Sequence, residues 1–198
     1  MTNINGKTYA MNAITPMNAF YTPILKLIFF ILGHVKPLQA DLINLSFIHF
    51  ARWVVVGRRN FPRLSGEQPE EQLHYDYLLF FRNFNGTWNQ YIDAFADVLS
   101  NGLNLIWRWS AKYPGARPVT EFKRYIARVQ FDTDYYYVAY PRATANDVKA
   151  AHRVNAALAD FARDSKDMTP ADFGGAYLRF VTQVQMDLGA TGIGPVGD

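Results

Sequence analysis

The sequence predicts an α+β fold in which a small, mostly antiparallel sheet of three to four strands is covered by helices. Two observations lead to this prediction. A strand-like segment followed by a turn and a helical segment occurs twice, at 75–100 and at 134–163. A further stretch, Leu45 to Val56, is rich in β-branched and aromatic residues and contains no Gly or Pro, which is typical of a buried strand. Such strands and helices pack as layers around one core.

The composition excludes several kinds of chemistry. The 198 residues correspond to one domain, and 49% hydrophobic and 19% charged residues are typical of a globular protein. The chain has no cysteine, which excludes disulfides, thiolate catalysis and cysteine-ligated zinc or iron–sulfur clusters. We expect a cytoplasmic location, because a cytoplasmic chain needs no disulfides. The net charge of +3 is too small to indicate nucleic-acid or lipid binding by itself.

We expect the chain to divide into three segments. Residues 1–18 are polar, rich in Asn and Met, and predict a flexible N-terminus. Residues 19–188 are expected to form a single α+β domain. Residues 189–198 are rich in Gly and predict a flexible tail.

An apolar run, Phe20–Val35, predicts a helix that begins near Pro23 and ends at Gly33. A membrane-spanning helix needs about 20 apolar residues, and this run is shorter and contains Lys26. Because the helix would be apolar on nearly every side, we expect it to be buried beneath the sheet. The alternative is that it lies against a membrane or a partner surface.

The stretch Leu45–Val56 is expected to be the central strand, and it carries two polar side chains, His49 and Arg52. The alternation of a strand places them on opposite faces of the sheet. A guanidinium inside an apolar strand needs a partner, since unpaired burial is costly. We expect Arg52 to pair with Asp76, the nearest acidic group by face and polarity.

The next predicted strand is Tyr75–Phe84, and Asn85-Gly86 predicts the turn that ends it. Thr87 is placed to cap a helix over 88–99, where apolar residues recur at helical spacing. Two shorter helical segments are expected between 103 and 129. One face of the strand should show Asp76, Leu78, Phe80 and Arg82.

A third strand is expected at Asp134–Tyr140 and is ended by Pro141. Thr144 and Asp147 approximate a capping box for a helix that runs to about Arg163. The stripe of this helix that is expected to face inward consists of Val148, Ala151, Asn155, Leu158 and Phe161. A final helix from Pro170 through Val184 is favoured, with a strand as the alternative. Helix, strand, strand, helix, strand, helix is an order compatible with a ferredoxin-like arrangement.

The histidines do not predict a metal site. No two of His34, His49, His74 and His152 share the short spacing of a helical metal pair. A single histidine could still ligate a haem iron, and His152, on a predicted helix beside Arg153, is the best local candidate. Basic residues alternate with rings at several places, but most of these rings fall on stripes expected to be buried. Nucleic-acid binding is therefore not favoured.

The aromatic content, 16% of residues, is high enough to line a pocket as well as to build a core. A strand buries one face, so some phenols of the tyrosine-rich segment must meet a second layer, a pocket or solvent. We predict a ligand pocket lined by phenols, on which histidines and arginines converge. The candidate ligand-binding residues are His49, Arg52, Arg82, Tyr135, Tyr137 and His152.

Three blocks of the sequence support a resemblance to known families: Phe47-Ile-His-Phe-Ala-Arg-Trp53, the segment from Leu79 to Trp88, and Phe122-Lys-Arg-Tyr125. Together they resemble an uncharacterised bacterial family over most of residues 20–188. The strand and its Phe-Asn-Gly turn are also similar to the ferredoxin-like modules of dye-decolorising peroxidases and dimeric α/β-barrel proteins. Those peroxidases carry an acidic residue before the turn glycine for peroxide cleavage. This chain has Asn85 there, and an amide cannot act as an acid or base.

Three functional hypotheses follow. The first is a non-catalytic binding or accessory protein with an aromatic pocket or interface, docked to a partner or membrane through Phe20–Val35. The second is a ferredoxin-like oxidoreductase, either a haem peroxidase or an enzyme that acts on a small aromatic substrate, using His152 or His49 with Arg52 or Arg82. The third is a structural subunit of a larger assembly. A protein partner or a homo-oligomer is expected, and the location is cytoplasmic or at a membrane periphery.

Overall fold

The computed structural model describes residues 8–35, 47–141 and 143–188. Within these residues, four strands form one antiparallel sheet in the order β2-β3-β1-β4. The strands are β1 (Thr8–Met17), β2 (Ile48–Val56), β3 (Asp76–Asn85) and β4 (Gln130–Phe131).

Six α-helices connect or follow these strands in the part of the chain that is described. They are α1 (Thr22–His34), α2 (Trp88–Val98), α3 (Ser100–Trp107), α4 (Val119–Val129), α5 (Ala145–Asp164) and α6 (Pro170–Val184). Helices α2 and α5 begin after the predicted caps Thr87 and Thr144, and each cap forms a capping box, which was predicted for Thr144 alone. The final segment is a helix, as favoured, and Thr169 caps it.

The chain order through β4 is strand, helix, strand, strand, helices, strand, which is the ferredoxin-like arrangement. The predicted fold class, an α+β fold with a small antiparallel sheet, is confirmed. The observed order begins with a strand rather than a helix, because β1 precedes the apolar helix.

The core lies between one face of the sheet, called here the core face, and the helices α1 to α4. Even-numbered residues of β3 and odd-numbered residues of β1 point into it, and Leu78, Phe80 and Met11 are 1–2% exposed. Helices α2 to α4 supply rings and branched side chains from their amphipathic faces. The largest of these buried side chains are Trp107, Tyr91, Phe95, Phe122, Ile92 and Leu103.

The prediction of a flexible N-terminus over residues 1–18 is wrong for its second half. Residues 8–17 form β1, which pairs with β3 along its full length and with β4 at Asn12 and Ala13. Ala13 and Thr15 are fully buried, because β1 is an inner strand and small residues fit beneath the helices. Residues 1–7 and the predicted tail at 189–198 lie outside the described residues.

The prediction that Leu45–Val56 is the central strand is also wrong. The strand covers Ile48–Val56 and lies at the edge of the sheet, with only β3 beside it. Trp53 and Val55 pack against the core, while Phe50 is 72% exposed and Val54 is 42% exposed on the other face. Residues 45 and 46 lie outside the described residues. The β-branched residues of β2 therefore belong to a half-buried edge strand, which buries one face and not two.

The apolar helix forms where it was predicted, but it does not lie buried beneath the sheet. Only Thr22 and Leu25 of α1 are buried. Leu27 and Phe30 are 58% and 62% exposed. No described helix is both long and apolar enough to cross a membrane.

The third predicted strand, Asp134–Tyr140, does not form. The fourth strand is the two-residue β4, and residues 132–140 continue as irregular chain. The β-branched and aromatic character that predicted a strand serves instead to cover part of the sheet's second face.

Helices α5 and α6 form a hairpin whose rings pack on each other, with Phe161 contacting Phe173 and Phe180 at centroid distances of 5.5 and 5.0 Å. The predicted inward stripe of α5 is wrong, since Val148 and Leu158 are 45% and 47% exposed. Ala145 and Ala150 are the buried residues of α5. The hairpin therefore contributes little to the main core.

Candidate functional site

The second face of the sheet, opposite the core face, carries polar side chains where the core face carries rings. Strand alternation directs Phe81, Asn83 and Asn85 of β3 away from the core. Thr8 pairs with Asn85 across the ladder, and Asn12 lies four pairs further along β1, on the same face. This end of the second face therefore presents amide and hydroxyl groups.

Three asparagines of this face bind the irregular segment that follows β4. The Asn12 amide donates to Thr133 Oγ1 at 2.7 Å, and the Asn83 amide donates to the Tyr136 hydroxyl at 2.6 Å. The backbone N–H of Ala145, in the first turn of α5, donates to Asn85 Oδ1 at 2.9 Å. Because all three bonds join the sheet to this part of the chain, they hold Thr133 and Tyr136 across the second face and fix where α5 begins.

His49 reaches this end of the sheet because β2 is irregular there. Ile48 pairs with Phe84 and Phe50 pairs with Asn83, so His49 is an extra residue in a β-bulge. Bulges re-aim side chains near functional sites. The His49 Nε2 atom lies 3.3 Å from Thr8 Oγ1. Burial lowers the pKa of His49 below its ordinary value of 6.5, and a hydrogen bond with the Asn85 side chain partly opposes this. The imidazole is therefore neutral at pH 7.

A cleft of about 570 Å³ opens between the start of β2, the end of β3, the tyrosine-rich segment and the first turns of α5. That volume is in the range of sites for small organic ligands. Its wall is mainly apolar, with a few polar groups at its base and rim. The lining consists of Thr8, Ile48, His49, Phe50, Asn83, Tyr136, Tyr137, Val138, Ala139, Tyr140, Ala143, Ala145, Val148 and Lys149.

The structure brings two of the six predicted ligand-binding residues to this cleft, His49 and Tyr137. Arg52 lies exposed on the second face, with its guanidinium 5.0 Å from the centre of the Phe81 ring. Tyr135 is 78% exposed, and His152 is exposed on α5. Neither of these two lines the cleft.

The predicted ion pair between Arg52 and Asp76 is absent among the described residues. Asp76 is directed to the core face, opposite to Arg52. Its carboxylate accepts hydrogen bonds from the Thr22 hydroxyl and from the backbone N–H of Arg58, the latter at 2.8 Å. Asp76 thus joins the start of α1 to the loop that follows β2.

Arg82 lies in the core rather than in a pocket and is 2% exposed. Its guanidinium donates to the Tyr91 hydroxyl and to the Met11 sulfur, while its Nε has no hydrogen-bond partner among the described residues. Its Cζ lies 3.5 Å from the centre of the Tyr91 ring and 5.1 Å from that of Phe80. Burial lowers the pKa of Arg82 to about 10. Aromatic faces, not a carboxylate, therefore stabilise this charge.

Sequence reasoning missed Thr8, Asn83, Asn85 and Lys149. Asn83 and Asn85 are two residues apart in β3, so they share a face with Phe81. This alternation could have predicted that the second face carries polar groups. Asn85 was instead assigned to a turn, whereas it is the last residue of β3. Thr8 was missed together with the strand that contains it.

The residues of the cleft do not suit a haem iron held by histidine. The His49 ring bonds to Thr8 Oγ1 through Nε2 and also to the Asn85 side chain, so this imidazole is engaged within the protein. His152 lies outside the cleft. Among residues 8–35, 47–141 and 143–188, no group of three His, Asp or Glu side chains could hold a metal ion.

In comparisons with known proteins, no family model, no curated protein and no solved structure matches this chain. The resemblance to an uncharacterised bacterial family therefore stays a prediction, as does the likeness to the peroxidase modules.

Proposed function

We propose that this chain is a non-catalytic binding or accessory protein, and that its cleft takes a small, largely apolar molecule containing an aromatic ring. The observation that carries this proposal is the combination of a 570 Å³ cleft with a wall of rings and aliphatic side chains. Small-molecule sites have this character, with few polar groups that orient the ligand.

The polar groups of the cleft favour a neutral or weakly acidic ligand. His49 is neutral at pH 7, because burial lowers its pKa. A neutral imidazole can donate one hydrogen bond and accept another. Lys149 is the charged residue among the described residues of the lining, and its ammonium would favour a phenolate or a carboxylate over a cation.

The binding of 1-anilinonaphthalene-8-sulfonate, an aromatic anion that fluoresces in apolar sites, tests this role. Val148→Trp places a large ring on the α5 wall of the cleft and should weaken dye binding about tenfold. The matched control is Leu158→Trp, since Leu158 lies on the same helix with nearly the same exposure, 47% against 45%, and does not line the cleft. Loss of affinity in both variants, or none in either, would contradict the proposal.

An accessory role also requires a docking surface, and α1 supplies one. Its side chains opposite the core form what is called here the α1 outer face: Ile24, Leu27, Phe30 and Ile31, which are 40%, 58%, 62% and 43% exposed. Contiguous exposed apolar residues are typical of interaction sites. We propose that this face attaches the protein to a larger structure, either a protein assembly or a membrane periphery.

A further inference from the structure

We infer that the α1 outer face docks on an anionic lipid surface, with α1 lying in the plane of the membrane interface. This inference rests on the docking role proposed above and names its partner. It does not depend on the cleft, which lies at the start of β2 and not at α1.

The first observation is the position of the apolar side chains on α1. At 100° per residue, Ile24, Leu27 and Ile31 lie on one side of the helix, while Leu25 points to the opposite side and is fully buried. The 13 residues extend about 20 Å. An interfacial helix needs an apolar face along one side and does not need the length of a membrane span.

The second observation is the charge around this face. The described residues 8–35, which include α1, contain no Asp or Glu. Lys26 is exposed at the flank of α1, and Arg58 and Arg59 are exposed where the loop after β2 begins. The Asp76 carboxylate bonds both to Thr22 at the start of α1 and to the backbone of Arg58, so this loop begins against the helix. No ion pair among the described residues uses Lys26, Arg58 or Arg59.

The third observation is a group of rings at the N-terminal end of α1. Phe20 is 76% exposed, and Tyr21 stacks on Trp109 with ring centres 4.5 Å apart. The guanidinium of Arg108 lies 5.0 Å from the Trp109 ring. Aromatic and basic side chains of this kind are enriched at the level of lipid headgroups.

These charges favour anionic lipid over a second copy of the chain. A symmetric contact between two α1 outer faces would bring the cations of both copies together, and neither α1 offers a carboxylate to neutralise them. Anionic headgroups neutralise Lys26, Arg58 and Arg59 while the apolar side chains enter the acyl boundary. One surface then satisfies both kinds of group.

Flotation of the full chain with vesicles tests the inference. We expect binding to vesicles of phosphatidylcholine with 30% phosphatidylserine, and at least tenfold weaker binding to phosphatidylcholine alone. Leu27→Asp with Phe30→Asp should reduce binding at least tenfold. Arg58→Ala with Arg59→Ala should reduce it about tenfold, and added salt should weaken wild-type binding. The arginine pair is exposed, so it provides a test even if the aspartate pair does not fold.

The matched control is Leu158→Asp with Leu178→Asp, two exposed apolar residues of the α5–α6 hairpin, which should bind as wild type does. Equal loss in this control, or no wild-type binding to anionic vesicles, overturns the inference. Size-exclusion chromatography then separates the causes. If the Leu27 and Phe30 variant converts a dimer to a monomer, a second copy occupies the face and the docking role stands without lipid. Dye binding in the cleft remains a separate result in every case.

Discussion

The two faces of the sheet differ in how their polar side chains are paired. The core face surrounds one buried guanidinium, Arg82, with rings that leave its Nε without a hydrogen-bond partner among the described residues. On the second face, Asn83 and Asn85 form hydrogen bonds that hold Tyr136 and the start of α5 in place. We therefore expect the core face to contribute most of the stability and the second face to determine the shape of the cleft.

The largest effect is expected from removing a ring of the core face. Phe80 is 1% exposed and lies 4.9 Å, centre to centre, from both Trp53 and Trp107. Phe80→Ala should lower the free energy of unfolding by about 3–5 kcal/mol, because the lost contacts leave a cavity. Phe81→Ala, at the adjacent position on the second face, should cost much less. Urea unfolding monitored by circular dichroism measures both, and equal costs would contradict the division between faces.

A smaller loss is expected at Asn85. Asn85→Ala leaves the N–H of Ala145 and the hydroxyl of Thr8 without this partner, which should lower stability by about 1–3 kcal/mol. It should also weaken dye binding, because the start of α5 forms one wall of the cleft. Phe80→Ala should leave dye affinity unchanged under conditions where that variant remains folded. A stability loss at Asn85 without any change in dye binding would show that the Asn85 hydrogen bond does not shape the cleft.

The buried guanidinium can be examined with a double-mutant cycle. Arg82→Met removes the charge but leaves the Tyr91 hydroxyl buried without this partner, which should cost about 1–3 kcal/mol. The double variant with Tyr91→Phe removes both polar groups and should be at least as stable as wild type, since an apolar pair avoids the desolvation of a charge. Thermal and urea unfolding measure each corner of the cycle. A double variant less stable than wild type would show that the buried guanidinium and its ring cluster are stabilising.

The smallest effect is a pH dependence that arises from His49. Its folded-state pKa lies below 6.5, so between the two pKa values the unfolded chain binds more protons than the folded chain. The contribution of His49 is therefore complete above pH 6.5 and is lost as the pH falls through the lowered folded pKa. His49→Gln should flatten the stability profile between pH 7 and 5. His152→Gln is the matched control, because His152 is an exposed histidine on α5 that does not line the cleft.

The sequence predicted the fold class, the position of α1 and the start of α5 because these depend on local signals. Capping residues such as Thr87 and Thr144 act over three residues, and the alternation in β3 is visible in its own letters. The role of β1 depends instead on its neighbours. Its Asn12 and Pro16 argue against a strand, yet pairing with β3 and β4 outweighs that preference.

The candidate site was less predictable than the fold, for the same reason. Tyr137 and His49 were predicted from residue type, and both line the cleft because Asn83 holds Tyr136, and Asn85 holds the start of α5, over the second face. Those bonds join residues about 50–60 positions apart. No local pattern shows which amide takes which partner. The prediction that Arg82 lines a pocket was wrong because its burial depends on the rings that the packed helices bring around it. The local sequence does not show that packing.

The β-bulge has a consequence for the length of β2. Because Ile48 pairs with Phe84 and Phe50 with Asn83, His49 occupies no position of its own in the ladder. A chain that lacked this one residue could keep every other pair between β2 and β3 and would have a regular edge. The imidazole is thus an addition to a complete strand, and it could be gained or lost by inserting or deleting a single codon without shifting the register of the sheet.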